Sequence, residues 1–242
     1  MTRLLEVREL TRAFGALNAV NAVSFSVEQG EVLGLIGPNG AGKSTLYNLI
    51  AGALAPSSGQ ILFEGREVQG WKSHHAARAG LARTFQIPKP FRHLSVIDNV
   101  AVSALLHQPG VSSARDYAGA ILADVGLADY AHAPVGILTV GLLKRLEVAR
   151  AVALRPKLVL FDEIMAGLTP TEVAGMTKLI ADLPARGITV IWVEHVLYAI
   201  MKTALRIVVL HRGEIIADAT PEKVAKDSRV IRAYLGEEMN LA

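Results

Sequence analysis

The sequence predicts an α/β fold in which a parallel sheet is joined to an antiparallel β subdomain at the N-terminal end and to an inserted helical subdomain. The first observation is a set of short, almost wholly apolar runs, typical of buried parallel strands, at residues 32–36, 158–161 and 188–193. The second is the alternation of apolar and polar residues at 5–10 and 22–27, typical of half-buried antiparallel strands. The third is the helical spacing of apolar residues from 95 to 154.

A glycine-rich stretch follows the first buried run and leads into a helix-like segment. Its members are Gly37, Pro38, Asn39, Gly40, Ala41, Gly42, Lys43 and Ser44, which match G-x-x-x-x-G-K-[ST], the P-loop pattern. Glycines let backbone N–H groups turn toward a phosphate, and the dipole of the following helix attracts the same anion. Lys43 is therefore expected to reach the β- and γ-phosphates, Ser44 to bind Mg²⁺, and Thr45 to hydrogen-bond the next phosphate. The sheet is thus predicted to be a P-loop NTPase core. No G-x-G-x-x-G follows a strand, which disfavours a dinucleotide-binding fold.

Composition excludes several other classes. Of the 242 residues, 51% are apolar and 19% are charged, which excludes a disordered chain, and no apolar run approaches the ~18 residues of a membrane span. The net charge is only +3 (25 basic and 22 acidic residues) without a polybasic block, so nucleic-acid binding is not expected. The chain has no cysteine, and residues 1–8 lack the apolar core of a signal peptide, which together predict a cytoplasmic protein.

Two carboxylates end the second buried run. Asp162 is expected to help hold the Mg²⁺ shell, and Glu163 to polarise water for attack on the γ-phosphate. The third buried run ends near His195, which is either a hydrogen-bonded structural residue or a functional one beside the nucleotide.

Two further residues have alternative interpretations. Gln86 ends a strand predicted at 83–86, and is either a polar strand terminus or a sensor that touches Mg²⁺ and the attacking water. Phe14 lies among small and polar residues and is either a core aromatic or an exposed ring that stacks on adenine.

The helical subdomain is predicted to contain helices at 96–106, 114–125 and 142–154. Ser95 is expected to cap the first of these helices, with Asp98 favourably placed in its first turn. We therefore predict a single domain over residues 1–242, with a nucleotide-binding core at about 1–94 and 155–242 and the helical subdomain at about 95–154.

Taken together, these motifs resemble the nucleotide-binding subunit of an ABC transporter, and the resemblance covers essentially the whole chain. It implies an ABC ATPase in which Phe14 stacks on adenine, Gln86 is the Q-loop glutamine at the metal, and Glu163 and His195 are catalytic. It also implies a signature loop that binds the γ-phosphate held by a second ATPase subunit. That loop maps to Leu138, Thr139, Val140, Gly141 and Leu142.

Within that family the chain is similar to the ATPases of branched-chain amino acid importers. The similar segments are residues 80–86, 91–100, 144–151 and 230–236. Urea importers and the lipopolysaccharide-export ATPase are similar in the same segments, so they remain alternatives. The resemblance implies transmembrane permease subunits docked around residues 87–96, a second ATPase subunit, an indirect link to a substrate-binding protein, and a peripheral place on the cytoplasmic face of the inner membrane.

Three positions depart from the family pattern. Leu142 stands where a glutamine usually ends the signature, Ile164 replaces a proline after Glu163, and Val196 replaces an aspartate after His195. We expect a competent but slow ATPase, because the backbone donors of the signature survive the change at Leu142. Two rival interpretations are a nonhydrolysing nucleotide-binding regulator and a soluble ABC ATPase acting on DNA or ribosomes. The second would require coiled-coil insertions or basic arms, which the sequence lacks.

Overall fold

The computed structural model describes residues 3–238 and contains both strands and helices. The strands are β1 (Arg3–Phe14), β2 (Leu17–Glu28), β3 (Val32–Ile36), β4 (Ser58–Phe63), β5 (Arg66–Glu67), β6 (Leu81–Arg83), β7 (Leu158–Asp162), β8 (Thr189–Val193), β9 (Arg206–His211) and β10 (Glu214–Ala219). The helices are α1 (Lys43–Ile50), α2 (Ser73–Ala79), α3 (Val96–Ala104), α4 (Val111–Asp124), α5 (Val140–Ala153), α6 (Pro170–Ala181), α7 (Leu197–Thr203), α8 (Pro221–Val224) and α9 (Ser228–Glu238). None of the helices within these residues is both long enough and apolar enough to cross a bilayer.

The strands form two sheets. The larger has the order β10-β9-β3-β8-β7-β6, in which neighbours are parallel except for the antiparallel edge pair β10 and β9. The smaller is antiparallel, with the order β2-β1-β4-β5. The predicted α/β class, with a mainly parallel sheet and an N-terminal antiparallel part, is confirmed.

The large sheet is covered on both faces. Successive residues of β7 alternate between two hydrophobic clusters: Phe161 packs with Trp192 and the helices from α3 to α7, while Leu160 packs with Ile191, α1 and the antiparallel sheet. Burial on both faces explains why β3, β7 and β8 are almost continuously apolar in sequence. Their carboxyl ends meet at one edge of the sheet, where polar residues follow each strand.

The helices of the middle segment begin and end differently from the predicted bounds. As predicted, Ser95 caps α3 by accepting a hydrogen bond from the backbone N–H of Asp98. The helix ends at Ala104, two residues earlier than predicted. Helix α4 begins at Val111, three residues earlier than predicted. Helix α5 begins at Val140, because the hydroxyl of Thr139 accepts from the N–H of Leu142 and closes the first turn. The division into a core and a helical subdomain at about 94/95 and 154/155 stays a prediction.

The strand predicted at residues 83–86 is wrong. Helix α2 ends at Ala79 and is capped by Gly80, whose φ of 98° lies in the left-handed region that favours glycine. The chain therefore turns into β6 at Leu81, and β6 pairs with β7 from Leu81 to Arg83. Gln86 accordingly lies in the loop beyond the strand, not at its last position.

Candidate active site

The loop between β3 and α1 packs closely against the backbone of two neighbouring segments. Gly42 has a φ of 101°, and a Cβ at this position would lie 2.2 Å from the carbonyl oxygen of Ala19. Gly37 has a φ of 155°, and its Cβ would lie 2.2 Å from the carbonyl oxygen of Leu210. Glycine is thus required at both positions, by steric exclusion as well as by backbone conformation. The loop delivers the chain into α1, whose first residue is Lys43.

A cleft of about 220 Å³ opens over this loop. Its lining residues are Ala19, Asn39, Gly40, Ala41, Gly42, Lys43, Ser44, Thr45, Glu163 and His195. The side chain of Lys43 is buried, and its Nζ donates to the carbonyls of Gly37 (2.7 Å) and Pro38 (2.9 Å). The cleft therefore brings the predicted phosphate-binding loop together with two predicted catalytic residues that lie more than a hundred positions later in the sequence.

Two side chains from separate loops converge on the carboxylate of Glu163, which lies on a third loop. The amide Nε2 of Gln86 donates to Oε2 of Glu163 (2.5 Å), and Nε2 of His195 lies 2.8 Å from Oε1 of the same residue. The loops that carry them follow β6, β7 and β8, which are adjacent in the sheet. Both oxygens of Glu163 thus have a neighbour that fixes their orientation.

The backbone of Glu163 is itself unusual. Its φ of 46° lies in the left-handed region, which costs a residue with a side chain about 1 kcal/mol or more. Its N–H donates to the carbonyl of Val193 (2.9 Å), and its carbonyl accepts from Nζ of Lys144 (3.2 Å). These two bonds hold the conformation that turns the carboxylate toward the cleft.

The residues predicted to hold Mg²⁺ fit that ion in their chemistry. Mg²⁺ is commonly bound by one or two carboxylates together with phosphate oxygens and waters. Burial and the adjacent Glu163 raise the pKa of Asp162, and a cation would favour its ionised form. Ser44 lines the cleft, and Gln86 keeps its amide oxygen as a possible ligand while its Nε2 is bonded to Glu163. Within residues 3–238 no three His, Asp or Glu side chains gather into a ready metal site, so phosphate oxygens would have to complete the coordination.

Phe14 lies outside the lining of the cleft. It is the last residue of β1, 48% exposed, and the guanidinium of Arg12 lies 4.7 Å from its ring centroid. The exposure excludes the interpretation of Phe14 as a core residue. Stacking on adenine stays a prediction.

The predicted signature residues Thr139 to Leu142 do not line the cleft of their own chain. They form the first turn of α5 and its cap, where backbone N–H groups have no carbonyl partner within the helix. Val140 is 54% exposed there, whereas Gly141 is buried against Glu172, whose Oε1 would lie 2.1 Å from an added Cβ. This arrangement leaves the helix start accessible to a ligand carried by another molecule.

Three residues to which the sequence patterns assigned no role reach the site. Lys144 is buried and contacts the backbone of Gln86 and Glu163. Glu194 is buried, which raises its pKa, and its carboxylate accepts from the N–H groups of Met165 and His195. Tyr234 is hydrogen-bonded to the backbone of Gly37, and burial raises its pKa to about 12. A charged residue directly after a buried strand was the available signal for Glu194.

Comparisons with known proteins give a consistent result. Residues 20–166 match the family described as ABC transporter, and residues 214–239 match the family described as branched-chain amino acid ATP-binding cassette transporter. The high-affinity branched-chain amino acid transport ATP-binding protein BraF of Pseudomonas aeruginosa is 38% identical over 250 residues, covering 97% of this chain and 98% of BraF. The lipopolysaccharide export system ATP-binding protein LptB of Acidithiobacillus ferridurans is 34% identical over 242 residues, covering 100% of both. Among solved structures, the ADP conformation of an ATP-binding cassette of an ABC transporter superposes with a TM-score of 0.88 at 28% identity, covering 98% of this chain and 100% of that one.

Proposed function

Because this chain belongs to the ABC transporter family, whose ATP-binding subunits hydrolyse ATP to power transport, we propose that it powers the import of branched-chain amino acids or related small solutes. The observation that carries the hydrolytic part of the proposal is the contact of Gln86 and His195 with the two oxygens of Glu163, beside a P-loop. The similarity to BraF and the match of residues 214–239 favour branched-chain amino acids as the transported class.

The P-loop binds the triphosphate in this proposal. Backbone N–H groups of the loop and the start of α1 face the phosphates, and Lys43 neutralises the β- and γ-phosphates. Ser44, Asp162 and Gln86 would hold Mg²⁺, which when bound spreads the negative charge that develops on the phosphates. Phe14 would stack on the adenine from the end of β1.

Glu163 acts as the general base for the attacking water. Its oxygens are already engaged by Gln86 and His195, so small movements of either loop change how the carboxylate meets the water. His195 also supplies a donor for the γ-phosphate. Positioning and charge neutralisation thus account for most of the catalysis, as is general for phosphoryl transfer.

A second ATPase subunit completes each site. The start of α5, from Thr139 to Leu142, does not line the cleft of its own chain and would offer backbone donors to a γ-phosphate held by the partner. The exposed Val140 and Ile137 beside it would be covered in such a head-to-tail dimer. The partner is a second copy or a homologous chain.

The permease would dock on the segment that follows β6. Phe85, Ile87 and Phe91 are exposed apolar side chains in this segment, and Ile87 is 73% exposed. An apolar patch rimmed by polar residues is typical of a protein interface. In this arrangement the chain lies peripherally on the cytoplasmic face of the inner membrane, binds no nucleic acid, and meets the substrate-binding protein only through the permease.

The experiment measures ATP hydrolysis by the purified chain alone and with its membrane subunits reconstituted in proteoliposomes. We expect the rate to rise with the permease and to vanish in Glu163→Gln, which should also elute as an ATP-bound dimer in size-exclusion chromatography. Glu222→Gln makes the same chemical change on α8 and should behave as the wild type. Elution of Glu163→Gln as a monomer with ATP would contradict the dimeric site.

Uptake in the same proteoliposomes tests the substrate. Radiolabelled leucine, isoleucine and valine should enter with ATP, whereas urea should not. The similarity to LptB makes lipopolysaccharide extraction the second candidate, and release of lipopolysaccharide without amino acid uptake would favour it. Tight ATP binding without hydrolysis in any setting would instead favour a nonhydrolysing regulator.

A further inference from the structure

One face of α5 is attached to the loop that contains Gln86. Lys144 donates from Nζ to the carbonyl of Gln86, and the carboxylate of Glu147 accepts from the N–H of Lys89 (3.3 Å). Arg150 donates to the carbonyl of Lys89 (2.9 Å) and to Glu147 (2.6 Å). The three side chains lie on successive turns of the helix, so residues 86–89 are held to α5 through their backbone.

Lys144 also reaches beyond this loop. Its Nζ donates to the carbonyl of Glu163 (3.2 Å), so one ammonium group joins α5, the Gln86 loop and the end of β7. The residue that accepts this bond, Glu163, has a φ of 46° in the left-handed region. Lys144 therefore contributes directly to the backbone conformation that presents the Glu163 carboxylate.

The burial of this cation requires a reason. Lys144 is 3% exposed, and burial lowers its pKa, because removal from water disfavours the charged form. Its charge is offset by the carboxylates that surround it: Glu194, Glu147, Glu163 and Asp162. Replacing a complete buried ion pair by apolar residues is often neutral for stability, so stability alone does not call for a lysine and carboxylates to be buried together here.

We propose that Lys144 is a positioning residue for hydrolysis. Its bonds make the start of α5 move as one unit with Gln86 and Glu163. The inference rests on the proposed function, in which the start of α5 serves the partner's nucleotide while Gln86 and Glu163 serve the nucleotide of their own chain. A movement of α5 that closes one site thereby aligns the catalytic groups of the other. Positive cooperativity between the two ATP sites follows from this connection.

The test replaces Lys144 by methionine, which keeps the length of the apolar stem but removes the donor. We expect kcat to fall by about 100-fold, the loss typical of a misplaced catalytic group, while affinity for a fluorescent ATP analogue stays within about twofold. The Hill coefficient for ATP should fall to about 1, the value for independent sites. Lys144→Arg retains a donor and should recover most of kcat, and Lys144→Gln serves as the second variant if the methionine variant does not fold.

Arg145→Met is the matched control. Arg145 lies one position further along α5 and donates to the carbonyl of Val125 (2.7 Å), away from Gln86 and Glu163, so kcat and the Hill coefficient should not change. Wild-type kcat and cooperativity in Lys144→Met would overturn the inference, as would equal losses in Arg145→Met. An inactive wild type with its permease would instead refute the proposed function, so the two failures are distinguishable.

Discussion

Gly141, in the first turn of α5, packs against the start of α6. A Cβ at this position would lie 2.1 Å from Oε1 of Glu172 and 2.7 Å from its Cδ. The same carboxylate is held in place, because its Oε2 accepts from both the N–H and the hydroxyl of Thr169 (2.8 Å each) in the capping box of α6. Gly141→Ala therefore forces Glu172 to leave its cap or α5 to shift.

Two opposing terms set the size of the effect of Gly141→Ala. Overpacking typically costs about 1–3 kcal/mol, whereas replacing a helical glycine by alanine gains about 0.5–1 kcal/mol. We therefore expect a net loss of about 1 kcal/mol in the free energy of unfolding. For a domain of this size, that loss lowers Tm by about 2–4 °C.

The assay is thermal unfolding followed by circular dichroism in the absence of nucleotide. In a Glu172→Ala background the clash is gone, so Gly141→Ala should raise Tm by about 2 °C and the sign of its effect reverses. Gly119→Ala, a matched change in α4 with no atom closer than 4.0 Å, should raise Tm in both backgrounds. An equal decrease of Tm for Gly141→Ala in both backgrounds would refute the contact with Glu172.

Three further predictions concern packing, the docking segment and the signature. Gly34→Ala should lower the free energy of unfolding, measured by urea denaturation, by about 1–3 kcal/mol, because its Cβ would lie 2.6 Å from Cγ2 of Ile200. Ile200→Ala should relieve part of that loss. The buried Asn99 side chain accepts from the N–H of Phe91 (2.7 Å) and donates to its carbonyl (3.1 Å). Asn99→Leu should therefore lower the free energy of unfolding by about 1–3 kcal/mol. It should also weaken co-purification with the permease, because Phe91 belongs to the docking segment. Intact co-purification would contradict the role of that segment in docking. Leu142→Gln should raise kcat about fivefold, since one polar contact contributes about 1 kcal/mol, and an unchanged rate would refute the expectation of a slow ATPase.

The sequence by itself determined the features that depend on neighbouring residues. The P-loop around Lys43, the buried strand that ends at Asp162, and the cap at Ser95 are all local patterns, because a turn, a strand or a helix start is selected by residues within a few positions. The strand predicted at 83–86 is wrong for a local reason as well, since the left-handed Gly80 caps helix α2 and lets the strand begin at Leu81.

The tertiary structure decided which distant residues meet. The bonds from Gln86 and His195 to Glu163 join residues 77 and 32 positions apart, and they depend on the order of β6, β7 and β8 in the sheet. The place of Lys144 beside Gln86 and Glu163, and of Gly141 against Glu172, depends on how α5 packs on the sheet and on α6. Periodicity tells which face of a helix is buried but not what that face touches, and a buried lysine in an amphipathic pattern is indistinguishable from a solvated one until the neighbouring backbone is in place.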